Sequence, residues 1–331
     1  MPLFALVFDI AATKLAVATC REMLENHITA CHQSEKCLES AVTVGEMTLS
    51  STKLTPLIGA RIDADKEALL SGRHAAEIRE LLEDRGVLLF PEIHMSDEEQ
   101  QAFTATLGTL ASENNGTLGP DGKPQAIYKV DAAQDDEQAI RRLRNNQLWH
   151  LDGSMHETPI LASILSAKRI APVGGGTEWA NSCAAFAALP AEEQAELEKL
   201  RAVHANWSLA ARQNPEPSLA QFLQWRRGPS KSQPLVWKHA SGRKSLVVGS
   251  TAAYVEGMDP ADSQELLVRL RDWATQPQFV YSHRWTQYDL VMWDNRATMH
   301  RVRRFDDLNI VRDVRRTTTR SDGPTAAQEA A

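Results

Sequence analysis

The sequence predicts a mixed α/β protein with a mainly β core, a barrel or sandwich against which helices pack. Two observations carry this. After Leu148 the chain is dominated by short apolar or β-branched runs, PILASILSAKRI, KSLVVGS, FVYSHRW and DLVMWDN, each bounded by Gly, Pro, Asp or Asn. Only two clear helical patterns interrupt them, so the regular strand and helix alternation of a doubly wound sheet is absent.

In chain order, a strand-like TKLTPLIGARI begins shortly after Met47, where the texture changes. SGRHAAEIRELLEDRG predicts a helix with Ser71 as N-cap, Ile78, Leu81 and Leu82 at helical spacing, and Gly86 as its stop. GVLLFP reads as a buried strand and SDEEQQAFTATLG as a second capped helix. Ser112 to Gln147 is long and polar, a loop with one short helix. LPAEEQAELEKLRAV, with Pro190 in its first turn, and DPADSQELLVRLRDWA supply the two later helices. A long segment from His204 to Pro234 contains WRRGPSK, read as a solvated loop rather than a lid offering Arg226 or Arg227 to an anion.

A chain of 331 residues can bury a large core, and 43% apolar with 24% charged residues is ordinary for a globular protein. A net charge of −7 argues against nucleic acid as a partner, because phosphate binding needs a basic field. No run is long and apolar enough to cross a membrane. The N-terminal MPLFALVFDIAATKLAVATC lacks a basic start and is interrupted by Asp9 and Lys14, which makes it a poor secretion signal and places the protein in the cytoplasm. Three of four cysteines fall in the first 37 residues. His27, Cys31, His32 and Cys37 match no standard zinc spacing, and unpaired thiols are the better reading. Residues 1–46 are expected to be an N-terminal extension outside the functional domain, 47–331, with Met47 a candidate start.

The densest chemistry lies in LWHLDGSMHETP. In a strand side chains at i and i+2 share a face, so His150 and Asp152, projecting together from one strand, can grip one ion while Leu151 points away. A third ligand is available as His300, in LVMWDNRATMHRV. Two imidazoles and a carboxylate on one face of a metal suit Fe(II) with open positions, and zinc hydrolases use the same ligand types. Trp149 and Trp293 read as core walls. His204, His239 and His283 have no motif around them.

WHLDGSMHETP, APVGGGTEWAN, MWDNRATMHRV and RDVRRTTTRSDGP, in this order and spacing, resemble the taurine and 2,4-dichlorophenoxyacetate dioxygenase family (TauD/TfdA) over roughly Leu54 to Pro324. The likeness is strongest to its aryloxyalkanoate branch. The resemblance implies a distorted double-stranded β-helix, or jelly roll, with flanking helices. It implies His150, Asp152 and His300 as iron ligands, and Thr177 and Arg312 as the holders of the far carboxylate of 2-oxoglutarate. Arg316 would meet the anionic head of the substrate, with Arg315 and Arg320 as competitors and surface pairing with Asp313 or Asp322 as the bland reading. Asn146 stands where the taurine enzyme has a substrate-contacting asparagine. The implied reaction uses Fe(II), 2-oxoglutarate and O2 to hydroxylate a small anionic organic substrate, releasing succinate and CO2. An aryloxyalkanoate ether would be cleaved to a phenol and an oxoacid; a sulfonate, alkyl sulfate or amino-acid-derived intermediate are the other substrates considered. By analogy the protein would form dimers or tetramers. Glu157 reads as structural support, and His156 drops out.

Overall fold

The computed structural model describes residues 49–111, 126–130, 143–157, 159–170, 173–304 and 312–320. The expectations for residues 1–46, the cysteine cluster and most of Ser112 to Gln147 lie outside them. The strands are β1 (Ser50–Lys53), β2 (Ala60–Asp63), β3 (Val87–Phe90), β4 (Tyr128–Val130), β5 (Ile160–Arg169), β6 (Thr177–Asn181), β7 (Arg201–Ala205), β8 (Ser230–Pro234), β9 (Val236–Lys238), β10 (Lys244–Leu246), β11 (Ala252–Val255), β12 (Val280–His283), β13 (Leu290–Asp294), β14 (Thr298–Val302) and β15 (Asp313–Arg320).

The larger sheet has the order β1-β2-β3-β13-β5-β15-β4, and β12-β6-β14 form a second sheet facing it. Side-chain alternation builds the layers. In β13, Leu290 and Met292 join Ala162 and Ile164 of β5 in one cluster, under the helices Ala75–Arg85 and Asp97–Leu107. Val291 and Trp293 point the other way and meet Leu165, Val314 and Trp179 of β6 between the sheets. The outer face of the small sheet, Ala180 and Met299, is covered by Phe186, Leu267 and Leu270 from the helices Ser182–Ala187 and Pro260–Ala274. This jelly-roll arrangement places the catalytic candidates between two sheets whose outer faces are both buried.

Several local expectations hold. Ser96 and Glu99 form a capping box at the start of Asp97–Leu107. Gly86 ends its helix at φ 71°, and a Cβ there would lie 2.9 Å from Thr298 Cγ2, so both backbone and packing require glycine. Others are corrected. Ser71 closes the short helix Lys66–Leu70, its hydroxyl donating to Ala68 O at 2.7 Å, and the next helix starts at Ala75 after His74. Pro190 is the N-cap of Ala191–Leu197, and the following RAV belongs to β7, where pairing with β8 outweighs helical spacing. The segment from His204 to Pro234 contains helices Asn206–Gln213 and Leu219–Trp225 before β8. Arg226 and Arg227 are exposed after the second of these helices. No helix among the described residues is long and apolar enough to cross a membrane.

Candidate active site

The site begins at one pair of residues. His150 and His300 exchange both backbone hydrogen bonds, N to O at 3.0 Å and 2.8 Å, a bridge that puts their rings side by side with centroids 4.1 Å apart. The expectation that His150 and Asp152 project from one regular strand is corrected. His150 makes a single bridge, and the chain turns at Asp152 and Gly153. Gly153 has φ 80°, and a Cβ there would lie 2.8 Å from Ile160 N, so the turn needs glycine. The turn brings Asp152 Oδ1 to 3.9 Å from His150 Nε2 and Oδ2 to 3.8 Å from His300 Nε2. These lengths exceed hydrogen bonds. One ligand atom from each of the three residues lies within 4.8 Å of the others.

The donor types suit a cation. His150 Nδ1 faces Leu148 O at 2.7 Å; a carbonyl only accepts, so Nδ1 carries a proton and Nε2 is the nitrogen turned toward Asp152. Burial and the neighbouring His150 hold His300 down at about 3, against the opposing pull of Asp152. Burial raises Asp152, but the Arg316 guanidinium foremost, then the two neighbouring imidazoles and the Ser163 hydrogen bond, outweigh it, leaving its carboxyl at about 2. Two imidazoles and one carboxylate are the donor types that suit a divalent metal.

Thr177 and Arg312 are both buried. Thr177 Oγ1 accepts from Trp285 Nε1 at 3.0 Å, which leaves its hydroxyl proton for another acceptor. Burial lowers Arg312 to about 10, so it remains a cation at neutral pH. Arg316 Nη1 donates to Asp152 Oδ2 at 3.1 Å, and its guanidinium lies 5.7 Å from the Tyr128 ring. The pairing with Asp313 expected as its bland alternative is made instead by Arg315, which also bonds Asp97 at 3.1 Å. Arg320 is exposed at the end of β15, and Asn146 is half-buried, its side chain making no hydrogen bond among the described residues. Trp149 and Trp293 are buried walls, the first under the Arg301 guanidinium at 4.5 Å and the second 4.9 Å from the His300 ring. Glu157 pairs with Lys231, and His156 is exposed.

The three histidines without a motif are structural: His204 meets Thr251 at 2.9 Å, His239 meets Ser245 at 2.9 Å and His283 meets Asp289 at 3.1 Å. Glu83, His239 and Asp294 form a second group of donors, but a guanidinium already fills it: Arg296 bonds Asp294 at 2.9 Å and Glu83 at 3.1 Å. Sequence reasoning missed Ser163 and Trp285, which bond Asp152 and Thr177, and Asn295, which bonds Ser163. For Ser163 the available signal was a serine within the apolar run of β5, whereas Asn295 and Trp285 lie just beyond the ends of β13 and β12.

Comparison with known proteins gives a consistent picture. The model of the family described as "Taurine catabolism dioxygenase TauD, TfdA family" matches residues 50–318. An alpha-ketoglutarate-dependent 2,4-dichlorophenoxyacetate dioxygenase of Cupriavidus pinatubonensis is 37% identical over 290 residues, covering 83% of this chain and 99% of the relative. A (S)-phenoxypropionate/alpha-ketoglutarate-dioxygenase of Sphingobium herbicidovorans is 31% identical, covering 76% and 88%. The crystal structure of AAD-2 in complex with Mn(II) and N-oxalylglycine superposes with a TM-score of 0.72 at 32% identity, covering 85% of this chain and all of the other.

Proposed function

Because this chain belongs to the TauD/TfdA dioxygenase family, we propose that His150, Asp152 and His300 hold its iron, Thr177 and Arg312 its 2-oxoglutarate, and Arg316 and Asn146 a small anionic substrate. The enzyme is an Fe(II)- and 2-oxoglutarate-dependent dioxygenase. When bound, metal and 2-oxoglutarate supply the oxidising chemistry: one atom of O2 enters succinate as CO2 leaves, and the other enters the substrate.

The chain's own groups position and exclude. The observation that carries the reading is the convergence of two imidazoles and one carboxylate at the His150–His300 bridge. Arg312 offers a planar fork and Thr177 a hydroxyl proton, the donors a buried carboxylate needs. Trp179, Trp285 and Trp293, all buried between the sheets, keep bulk water from the adjoining space. Arg316 lies where the carboxylate of a substrate competes with Asp152 for its guanidinium.

The substrate proposed is an aryloxyalkanoate. Hydroxylation of the carbon beside its ether oxygen gives a hemiacetal or hemiketal, which collapses as the C–O bond breaks and the hydroxyl proton passes to the departing phenolate, leaving a phenol and an oxoacid. The names of the relatives support this choice. The proposal extends to a cytoplasmic homodimer or homotetramer with no nucleic-acid or membrane partner, in which residues 47–331 carry the activity and a form starting at Met47 retains it.

The test is a panel of aryloxyacetates, both enantiomers of aryloxypropionates and taurine, scored by succinate release. Turnover of an aryloxy acid, abolished by His150→Ala, is the expected result. No turnover with any aryloxy acid overturns the substrate; substrate-dependent succinate from His150→Ala overturns the ligand set.

A further inference from the structure

A run of buried polar side chains ends on Asp152 and has one possible direction. Trp293 Nε1 donates to Asn295 Oδ1 at 2.7 Å. An indole N–H can only donate, so this contact fixes which end of the Asn295 amide is oxygen. The amide nitrogen then points at Ser163 and donates to its Oγ at 2.9 Å. Ser163 accepts from Asn295 and has one proton to give, which goes to Asp152 Oδ2, 3.3 Å away. Trp293, Asn295 and Ser163 are all buried, with no solvent to reverse the order. Arg316 adds a second donor at 3.1 Å to the same Oδ2. Oδ1 has no such donor among the described contacts and faces His150 Nε2.

We propose that Ser163 and Asn295 are positioning residues that occupy Asp152 Oδ2 and leave Oδ1 as the single metal-binding oxygen of that carboxylate. A carboxylate with both oxygens free can bind a metal through two positions; one whose outer oxygen is held by donors binds through one. The device therefore guards an open coordination position, which the enzyme needs for 2-oxoglutarate and oxygen. It also ties two ligands together mechanically, because Trp293 packs 4.9 Å from the His300 ring and starts the run that ends on Asp152. The inference rests on the reading of Asp152 as a metal ligand.

The experiment titrates Co(II) alone into the metal-free full-length protein, following heat and the visible d–d absorption, which reports coordination number. Ser163→Ala removes the final donor. Asn295→Asp replaces a donating amide by an acceptor, so the Ser163 proton turns away from Asp152. Each is expected to weaken Co(II) about tenfold or more and to change the absorption intensity, the usual range for loss of such a partner. Ser163→Thr keeps the hydroxyl and is expected to bind Co(II) like the parent. In the Ser163→Ala background, Asn295→Asp is expected to add nothing, because the run is already cut. Parent-like affinity and spectrum in Ser163→Ala overturn the proposal, as does equal weakening in Ser163→Ala and Ser163→Thr, which assigns packing instead. His150→Ala separates the two readings: if it binds Co(II) like the parent, the ligand set fails rather than the run.

Discussion

Acidification acts on this fold through His204. The ring is fully buried, with Nδ1 2.9 Å from Thr251 Oγ1, and burial pulls it down to about 4. In the unfolded chain a histidine titrates near 6.5. Between these values the unfolded state binds more protons than the native one, so stability falls as pH falls. The contribution is present in full above about pH 6.5, costs about 2 kcal/mol by pH 5, and reaches about 3 kcal/mol once pH passes below 4. The assay is urea unfolding at pH 8, 6 and 5, comparing the parent with His204→Gln. The variant gives up some stability at pH 8 but has no ring to charge, so the gap between the two proteins should narrow by about 2 kcal/mol at pH 5. Curves that fall in parallel would refute the reasoning.

The buried ion network near His239 should be sensitive at its inner end. Asp294→Asn leaves Arg296 facing a neutral group and is expected to cost about 3 kcal/mol in a denaturant titration, while Glu83→Gln, on the more open side, costs less than half of that. Gly153→Ala forces a Cβ against Ile160 N and should cost about 1–3 kcal/mol together with most of the succinate formation, since it moves Asp152. Arg312→Lys is expected to raise KM for 2-oxoglutarate about tenfold or more while kcat falls less, because a point charge replaces a two-pronged donor. Chelation of the metal should abolish activity yet leave the far-ultraviolet circular dichroism unchanged, with activity returning on addition of Fe(II).

How much of this was legible in the residues varies with the range of the interaction. DLVMWDN, GVLLFP and the Ser96–Glu99 box carry their own signals, and they appear where the sequence puts them. Ser71 shows the limit: a serine caps either end of a helix, and only the tertiary setting decides that it closes Lys66–Leu70. The RAV of β7 has helical neighbours, yet its backbone bonds are made to a strand thirty residues on. At the site, His150, Asp152 and His300 stand out because imidazoles and carboxylates are uncommon beside apolar runs such as the ones that flank them. Ser163 does not, since a serine in an apolar run looks the same whether it fills space or bonds a carboxylate 11 positions away. Only the closed sheet distinguishes the two.

The backbone bridge between His150 and His300 joins positions 150 residues apart in a chain of 331. Closing so large a loop is among the slower events of folding, paid in chain entropy before any contact returns it. The proposed metal pocket therefore does not exist in an early, partly collapsed chain, and a metal bound there cannot nucleate this fold as zinc nucleates a finger. The polypeptide must first zip its second sheet into place, and metal loading becomes a separate, later event in the life of the molecule.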